Sequence, residues 1–430
     1  MPTLNPNRGR VFTFLQHCGI LLGLMSQTAS SQDANYDEAK VPDFELPPSL
    51  VLEDGSTVVT AGDWLLKRRP EVLGLFEDHV YGKAPGRPEG LRFETLSEDP
   101  GALNGAATRR ETRITVTQGD RSHSFDLLVY RPNTAPTPVP AFLGLNFRGN
   151  HTVTDDPGVA VPEAWVPNDE RLGATNNRAS AGGRGKQSSR WPIEAIVRRG
   201  YAVATIYCGA IDPDYHDGFQ NGVHALFPES RDAHTWGTVA AWAWGLSRGL
   251  DYLESDPAID ATKVAVIGHS RLGKTALWAG AVDPRFALVI SNNSGCGGAA
   301  LSRREFGETV RRINRSFPHW FNDQYKTYSD RIQDSPVDQH QLIALMAPRP
   351  VYIASATQDR WADPKGEFLS GKNASDVYAL FGLQGLGTEA PPAPDTSIGA
   401  SIGYHARTGR HDITAFDWER YMDFADRHWR

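Results

Sequence analysis

An apolar run from Val264 to Ile267 enters the segment Gly268-His269-Ser270-Arg271-Leu272-Gly273, and the chain leaves it through Lys274 to Trp278 with helical spacing. A serine between a strand and a helix, with glycine two places before it, can sit on a bend too tight for ordinary backbone, its hydroxyl exposed at the sheet edge. The helix that starts there aims backbone N–H groups at the same point, where they stabilise a developing oxyanion. The chemistry is attack by the Ser270 oxygen on a carbonyl carbon. The pattern departs from G-x-S-x-G in one place, since the second glycine comes one position later, at Gly273. His269 reads as a packed neighbour and not as the base.

A serine is a poor nucleophile at its own pKa, so a base, and a group that orients the base, must follow. In α/β-hydrolases they come in the order serine, acid, histidine, from loops after later strands. Pro350 to Ala356 has the composition of such a strand, and Thr357-Gln358-Asp359-Arg360-Trp361 is its exit loop. Asp359 is therefore the first candidate acid and Asp363 the spare. For the base, His405 and His411 lie in GYHARTGRHDIT ahead of a final helix, whereas His428 lies almost at the C-terminus. His411 is preferred because it immediately precedes the helix that contains Phe416 and Trp418. His79, His123 and His234 read as packing or surface groups.

These residues need a frame to bring them together. Residues 32–54 are acidic and contain prolines, which fits an extended strap, and Trp64 to Tyr81 shows helical apolar spacing that stops at Gly82. From about residue 111 the pattern turns to strands, at Arg113 to Thr117, Phe125 to Tyr130 and the nearly continuous apolar run Pro138 to Phe147. Residues 149–190 are rich in Gly, Asn, Arg and Ser and read as a long loop, the wall of a binding cleft. After it, strand and helix alternate: helices at Ile193 to Arg199, Ala233 to Leu253 and Thr275 to Val282, and strands at Tyr201 to Tyr207, Lys263 to Ile267, Phe286 to Ser291 and Pro350 to Ala356. That order predicts an α/β protein of the α/β-hydrolase fold, a mainly parallel doubly wound sheet in a three-layer sandwich with loop insertions. The domain reading is a leader over 1–31, a strap and helix over 32–110 packed on the main domain, and a catalytic domain over 111–430.

The 430 residues carry 44 Lys and Arg against 51 Asp and Glu, a formal charge of −7. With no basic face, nucleic acid is not an expected partner. Arg8 and Arg10, then an apolar run broken by Gln16 and His17, then small polar residues up to Ser31, have the form of a secretory signal peptide. Its removal takes the charge from −7 to −9 and removes Cys18, leaving Cys208 and Cys296, whose pairing stays open. No later stretch reaches 18 apolar residues, so the mature form is expected to lie off the membrane, secreted or periplasmic, and to act as a monomer. No C-x-x-C pair for structural zinc is present.

GHSRLGK resembles the G-x-S-R-x-G-K signature of the glucuronoyl esterases, carbohydrate esterase family 15. Several segments are similar to its bacterial branch: LNFRGNH at 145–151, SRWP at 189–192, YCGAIDPDYHDGF at 207–219, SGCGG at 294–298, FPHWF at 317–321 and the late GRHD. The resemblance spans about residues 45–430. It implies hydrolysis of the ester that joins a 4-O-methyl-glucuronic acid branch of xylan to a lignin alcohol, with no metal or cofactor. It also implies Ser270 as nucleophile, His411 as base, Arg271 as a residue stabilising the oxyanion, Lys274 and Glu308 as contacts to the sugar hydroxyls, and Trp361 as the cover of the sugar. One position departs from the common family pattern. Many members place the acid in an E-S-G-x-G-G turn, where this chain has Asn293, and an amide cannot stabilise an imidazolium as a carboxylate does. Some bacterial relatives use an aspartate two residues before the sugar-binding tryptophan, and Asp359 stands two before Trp361. Asp359 is the expected acid on both grounds. The alternatives are an acetyl-xylan or other carbohydrate esterase, and an inactive carbohydrate-binding relative.

Overall fold

Side chains of the central strands point alternately to two faces, and both faces are apolar. In β8 (Ile259–His269), Val264 and Val266 join one buried cluster while Ala265 and Ile267 join the other; in β10 (Val351–Ala356), Val351 and Ile353 oppose Tyr352 and Ala354 in the same way. A sheet apolar on both sides must be covered on both sides. The computed structural model describes residues 34–228 and 230–430, so the leader read over 1–31 lies outside the described residues. On one face lie the helices Thr238–Ser255, Arg271–Val282, Gln339–Ala344 and Pro364–Ala379, and on the other Ile193–Arg198 and Ala415–Trp429. No described helix is long and apolar enough to cross a membrane.

The sheet has nine strands in the order β1-β2-β3-β7-β4-β8-β9-β10-β11. β7 (Ala202–Tyr207), β4 (Val139–Asn146), β8, β9 (Leu288–Asn292), β10 and β11 (Ile402–Arg407) run parallel. β1 (Gly90–Asp99), β2 (Ala107–Gln118) and β3 (Arg121–Pro132) extend it antiparallel. Strand structure thus begins at Gly90 and not near 111. The β1 sequence GLRFETLSED is mostly charged and polar, as suits the edge of a sheet, and offers little apolar alternation to read. β11 also escaped the sequence reading, because its histidine and arginine are buried in polar pairings instead of packing as hydrophobes.

Three helices start away from the expected positions. The long helix begins at Thr238 instead of Ala233, and the helix after Ser270 begins at once, at Arg271. The helical run near the N-terminus spans residues 61–81 and ends at Gly82, whose φ of 78° no ordinary residue adopts readily. Its last residue, Tyr81, stacks on Trp278 at 4.3 Å and donates from its hydroxyl to the Gly297 carbonyl at 2.9 Å. The strap enters beside it, with the Pro47 and Pro48 carbonyls bonded to His340, Gln341 and Arg68. Residues 149–190 hold only single turns and one small hairpin, β5 (Ala174–Thr175) and β6 (Arg178–Ala179), closed by Asn176 and Asn177 at positive φ. Cys208 and Cys296 are both buried and unpaired.

Candidate active site

β8 ends at His269 and the next helix starts at Arg271, so Ser270 alone makes the turn, at φ 59° and ψ −130°. This is a region that residues with a Cβ rarely occupy, and such strain persists only where the surroundings enforce it. Here Ser270 N donates to the Asn292 carbonyl at 2.8 Å, which ties the elbow to the end of β9. A Cβ at Gly268 would stand 1.8 Å from the Leu272 carbonyl oxygen, so only glycine permits the bend. At Gly273 a Cβ would meet the Ser294 side chain at 3.0 Å and the Gly268 carbonyl at 3.1 Å. The displaced second glycine therefore lets the helix press against the turn after β9, while Leu272 is buried in the core. The Gly273 and Lys274 amides donate to the Ser270 carbonyl at 2.8 and 3.2 Å, which leaves those of Arg271 and Leu272, the first two of the helix, to serve an anion.

The loops after β9, β10 and β11 meet beside the elbow because those strands are sheet neighbours. Asp359, buried just past β10, accepts from His411 Nδ1 at 2.6 Å and from Asn293 Nδ2 at 2.7 Å, both on Oδ2. With its Nδ1 proton given to a carboxylate, His411 keeps a lone pair on Nε2. Its ring is half exposed and lies 4.6 Å from that of His269, and both His411 and Ser270 border the same cavities. Arg407, held by Asp417 at 3.0 Å, donates to the Arg410 and Asp412 carbonyls and so braces the His411 loop.

The other candidates stand elsewhere. His405 is buried within β11 between Asp417 and Tyr352, at 2.9 Å from each, and His428 bonds the Ala400 carbonyl at 3.1 Å. Asp363 pairs with Arg304 at 2.8 Å and caps the helix Pro364–Ala379, so it is engaged structurally. His269 is buried and donates from Nδ1 to Asn292 Oδ1 at 2.6 Å, since that oxygen can only accept. Burial, and then the nearby His411 charge, hold its imidazole well below the usual range, so it is a neutral platform for His411.

Arg271 lies partly exposed between Phe147 and Trp320, its guanidinium carbon 5.2 and 5.4 Å from the two ring centres. It is paired with Asp214, which also accepts from Trp320 Nε1 at 2.8 Å and His319 Nε2 at 3.1 Å. Burial alone would raise the Asp214 carboxyl, but Arg271 and these two donors outweigh it and bring it down to about 2. Lys274 and Glu308 are not helix-surface charges: both are buried and lie 3.2 Å apart, and Lys274 Nζ also donates to the Ser294 and Cys296 carbonyls at 2.6 and 2.5 Å. Glu308 N donates to the Trp361 carbonyl at 2.9 Å, a close approach that the neighbouring Gly307 allows. Trp361, half buried, lines with Lys274, Glu308 and Trp320 a cavity of about 340 Å³ that opens at Ser270.

Sequence reasoning singled out the segments that contain Asp214, His319 and Trp320 without drawing out those residues, and it missed Glu367. That carboxyl is buried behind the β9 turn, where it accepts from Ser355 Oγ at 2.6 Å and Gly295 N at 3.0 Å. Burial, with the Asp359 charge adding to it, pushes Glu367 from 4.5 up to about 8. A folded-state value above the unfolded one gives stability that is complete below pH 4.5 and lost as pH rises through about 8. Glu367→Gln imitates the protonated acid, so its Tm relative to the unsubstituted protein should climb across that window. Parallel melting curves at the two ends of the window would check this, and a constant difference would contradict it.

A largely parallel sheet of this order, with a strained serine after a central strand and a histidine-aspartate pair after the last two, defines an α/β-hydrolase. The family model described as fungal glucuronyl esterase matches residues 194–382. The chain is 51% identical to a solved promiscuous esterase of carbohydrate esterase family 15 from the marine bacterial metagenome, covering 92% of this chain and 100% of that one with a TM-score of 0.87. It is 47% identical to a glucuronoyl esterase from Solibacter usitatus, covering 91% and 100%, TM-score 0.85. A 4-O-methyl-glucuronoyl methylesterase of Schizophyllum commune is 29% identical over 378 residues, 85% of this chain and 81% of that one. The chain belongs to the glucuronoyl esterases of carbohydrate esterase family 15, and it is a carboxylic ester hydrolase.

Proposed function

We propose that this protein hydrolyses esters of glucuronic acid or its 4-O-methyl ether, with Ser270 as nucleophile, His411 as general base and acid, and Asp359 as the carboxylate that orients His411. The single observation behind the substrate is the buried Lys274–Glu308 pair in the cavity beside Ser270, which Trp361 also lines. Such a lining matches the hydroxyl groups of a polar sugar and gives an acetyl group nothing to bond. The natural ester is then the cross-link between glucuronoxylan and lignin, and the enzyme works as an exported monomer, in the periplasm or outside the cell.

His411 Nε2 takes the Ser270 proton as Oγ attacks the glucuronoyl carbonyl carbon. The negative charge on the carbonyl oxygen is met by the first helix amides and by Arg271. The tetrahedral species collapses, the C–O bond to the alcohol breaks, and the alcohol leaves with the proton from His411. Water, deprotonated by His411, then attacks the acyl-serine, and Ser270 departs with the proton restored and glucuronic acid released.

Asp214 keeps the Arg271 guanidinium at the serine, so it is a positioning residue for the oxyanion. Asp214→Asn should lower kcat by about a hundredfold, near the cost of losing one oxyanion donor, while KM changes little. A rise in KM alone would show that Asp214 serves binding instead. The test of the whole reading is kinetics on benzyl glucuronate against an acetylated xylo-oligosaccharide. The uronate should be preferred by at least about a hundredfold in kcat/KM, and preference for the acetyl ester would overturn it.

A further inference from the structure

An ester has two halves, and Ser270 stands where two cavities meet. The smaller holds Lys274, Glu308 and Trp361; the larger, about 590 Å³, shares Ser270, Arg271 and His411 with it and is lined besides by the 149–190 loop. If the uronic acid fills the first, the alcohol is left with the second, so any role given to the larger cavity rests on the uronate reading of the smaller. The charged lining of that larger cavity is one-sided: four arginines, Arg148, Arg171, Arg190 and Arg271, against one carboxylate, Asp214.

Three of those arginines already have carboxylate partners. Arg271 is paired with Asp214, Arg190 with Asp412 at 2.7 Å, and Arg171 with Asp169 at 3.2 Å. Arg148 instead donates from Nη1 to the Pro167 carbonyl at 2.9 Å, and no carboxylate among the described residues forms an ion pair with it. Its charge reaches Asp169, but Asp169 is bonded to Arg171. A half-buried guanidinium that faces a cavity with donors to spare is a receptor for a carboxylate. Phe147 and Phe317 line the same cavity and give it apolar, aromatic surface suited to a flat ring.

We infer that the alcohol side of the cleft selects an aromatic alcohol that carries a carboxylate, bound through Arg148. The test compares glucuronate esters of benzyl alcohol, of 3- and 4-carboxybenzyl alcohol and of their carbamoyl counterparts, each rate divided by that of hydroxide-catalysed hydrolysis. At low ionic strength one carboxylate isomer should exceed its carbamoyl counterpart in kcat/KM by up to about fivefold, the size of a partly exposed ion pair. That ratio should shrink toward one near 1 M salt, where the screening length is about 3 Å, and likewise in Arg148→Gln. Because the ratio is internal to each enzyme, a general loss of activity in the variant cancels, and the salt series on the unsubstituted protein stands without the variant. Ratios of one or less for both isomers, or a preference indifferent to salt and unchanged in Arg148→Gln, would overturn the inference alone. No turnover of any of these esters would overturn the uronate reading itself, and this inference with it.

Discussion

Ser270→Ala should lower kcat on a glucuronate methyl ester by about a millionfold, the scale on which removing the nucleophile of a serine triad acts. The size follows from the order of events: without Oγ no acyl-serine forms, and what is left is water attack helped only by the oxyanion donors and by binding. Substrate affinity should survive, because Lys274, Glu308 and Trp361 line a cavity that the hydroxyl merely borders. The fold should survive too, since the elbow is tied by the backbone of Ser270 to Asn292 and by the absence of a Cβ at Gly268. Steady-state kinetics beside direct binding of the free uronic acid would check both parts, and a fluorophosphonate probe should label the unsubstituted protein at Ser270 and leave the variant unmarked. Near-normal turnover by the variant would end the proposed mechanism. Failure of the unsubstituted protein to label would favour the inactive carbohydrate-binding alternative.

The second large effect concerns the acid. Asp359→Asn should cost about ten thousandfold in kcat, as loss of the charge does in triads whose geometry is kept. The replacement amide can turn its NH2 toward His411 Nδ1, and the imidazole then carries its proton on Nε2, the wrong nitrogen for taking one from serine. Asn293→Ala removes the other bond to Asp359 Oδ2, at 2.7 Å, but leaves the charge and the His411 contact in place. Its expected cost is about tenfold, that of one charge-assisted hydrogen bond. Measuring both variants on one substrate ranks the two positions. If Asn293→Ala proves the more damaging, the orienting role belongs to the β9 turn.

Legibility differed by residue for physical reasons. The elbow could be read because the backbone there dictates residue type over a short span, with a glycine where a Cβ would collide and helical apolar spacing directly after. In the sequence Asn293 reads as a missing carboxylate, and not as the donor it is to Asp359. Nothing local tells which partner a buried amide will meet across 66 positions of chain. Lys274 and Glu308 reach the site through the family resemblance alone, since spacing marks neither as buried; only the fold brings Glu308 and the Ser294 and Cys296 carbonyls to Lys274 Nζ and so makes burial of the charge tolerable. The polar edge strand β1 and the polar pairings of β11 hid two strands from any reading by hydrophobic alternation.

The amino-acid order alone determined the layered α/β architecture, the tight bend at Ser270 and the short choice of histidines and aspartates that could serve it. Those features arise from burial periodicity and backbone sterics, which act within a few residues. The tertiary structure alone decided that Asp359 stands beside His411 and Asn293, that Asp214 holds Arg271, and that His405 and Asp363 are engaged elsewhere. Those pairings depend on which strand ends are neighbours. Adjacency of β8, β9, β10 and β11 is set by crossovers that bury both faces of the whole sheet at once, a balance no single segment contains.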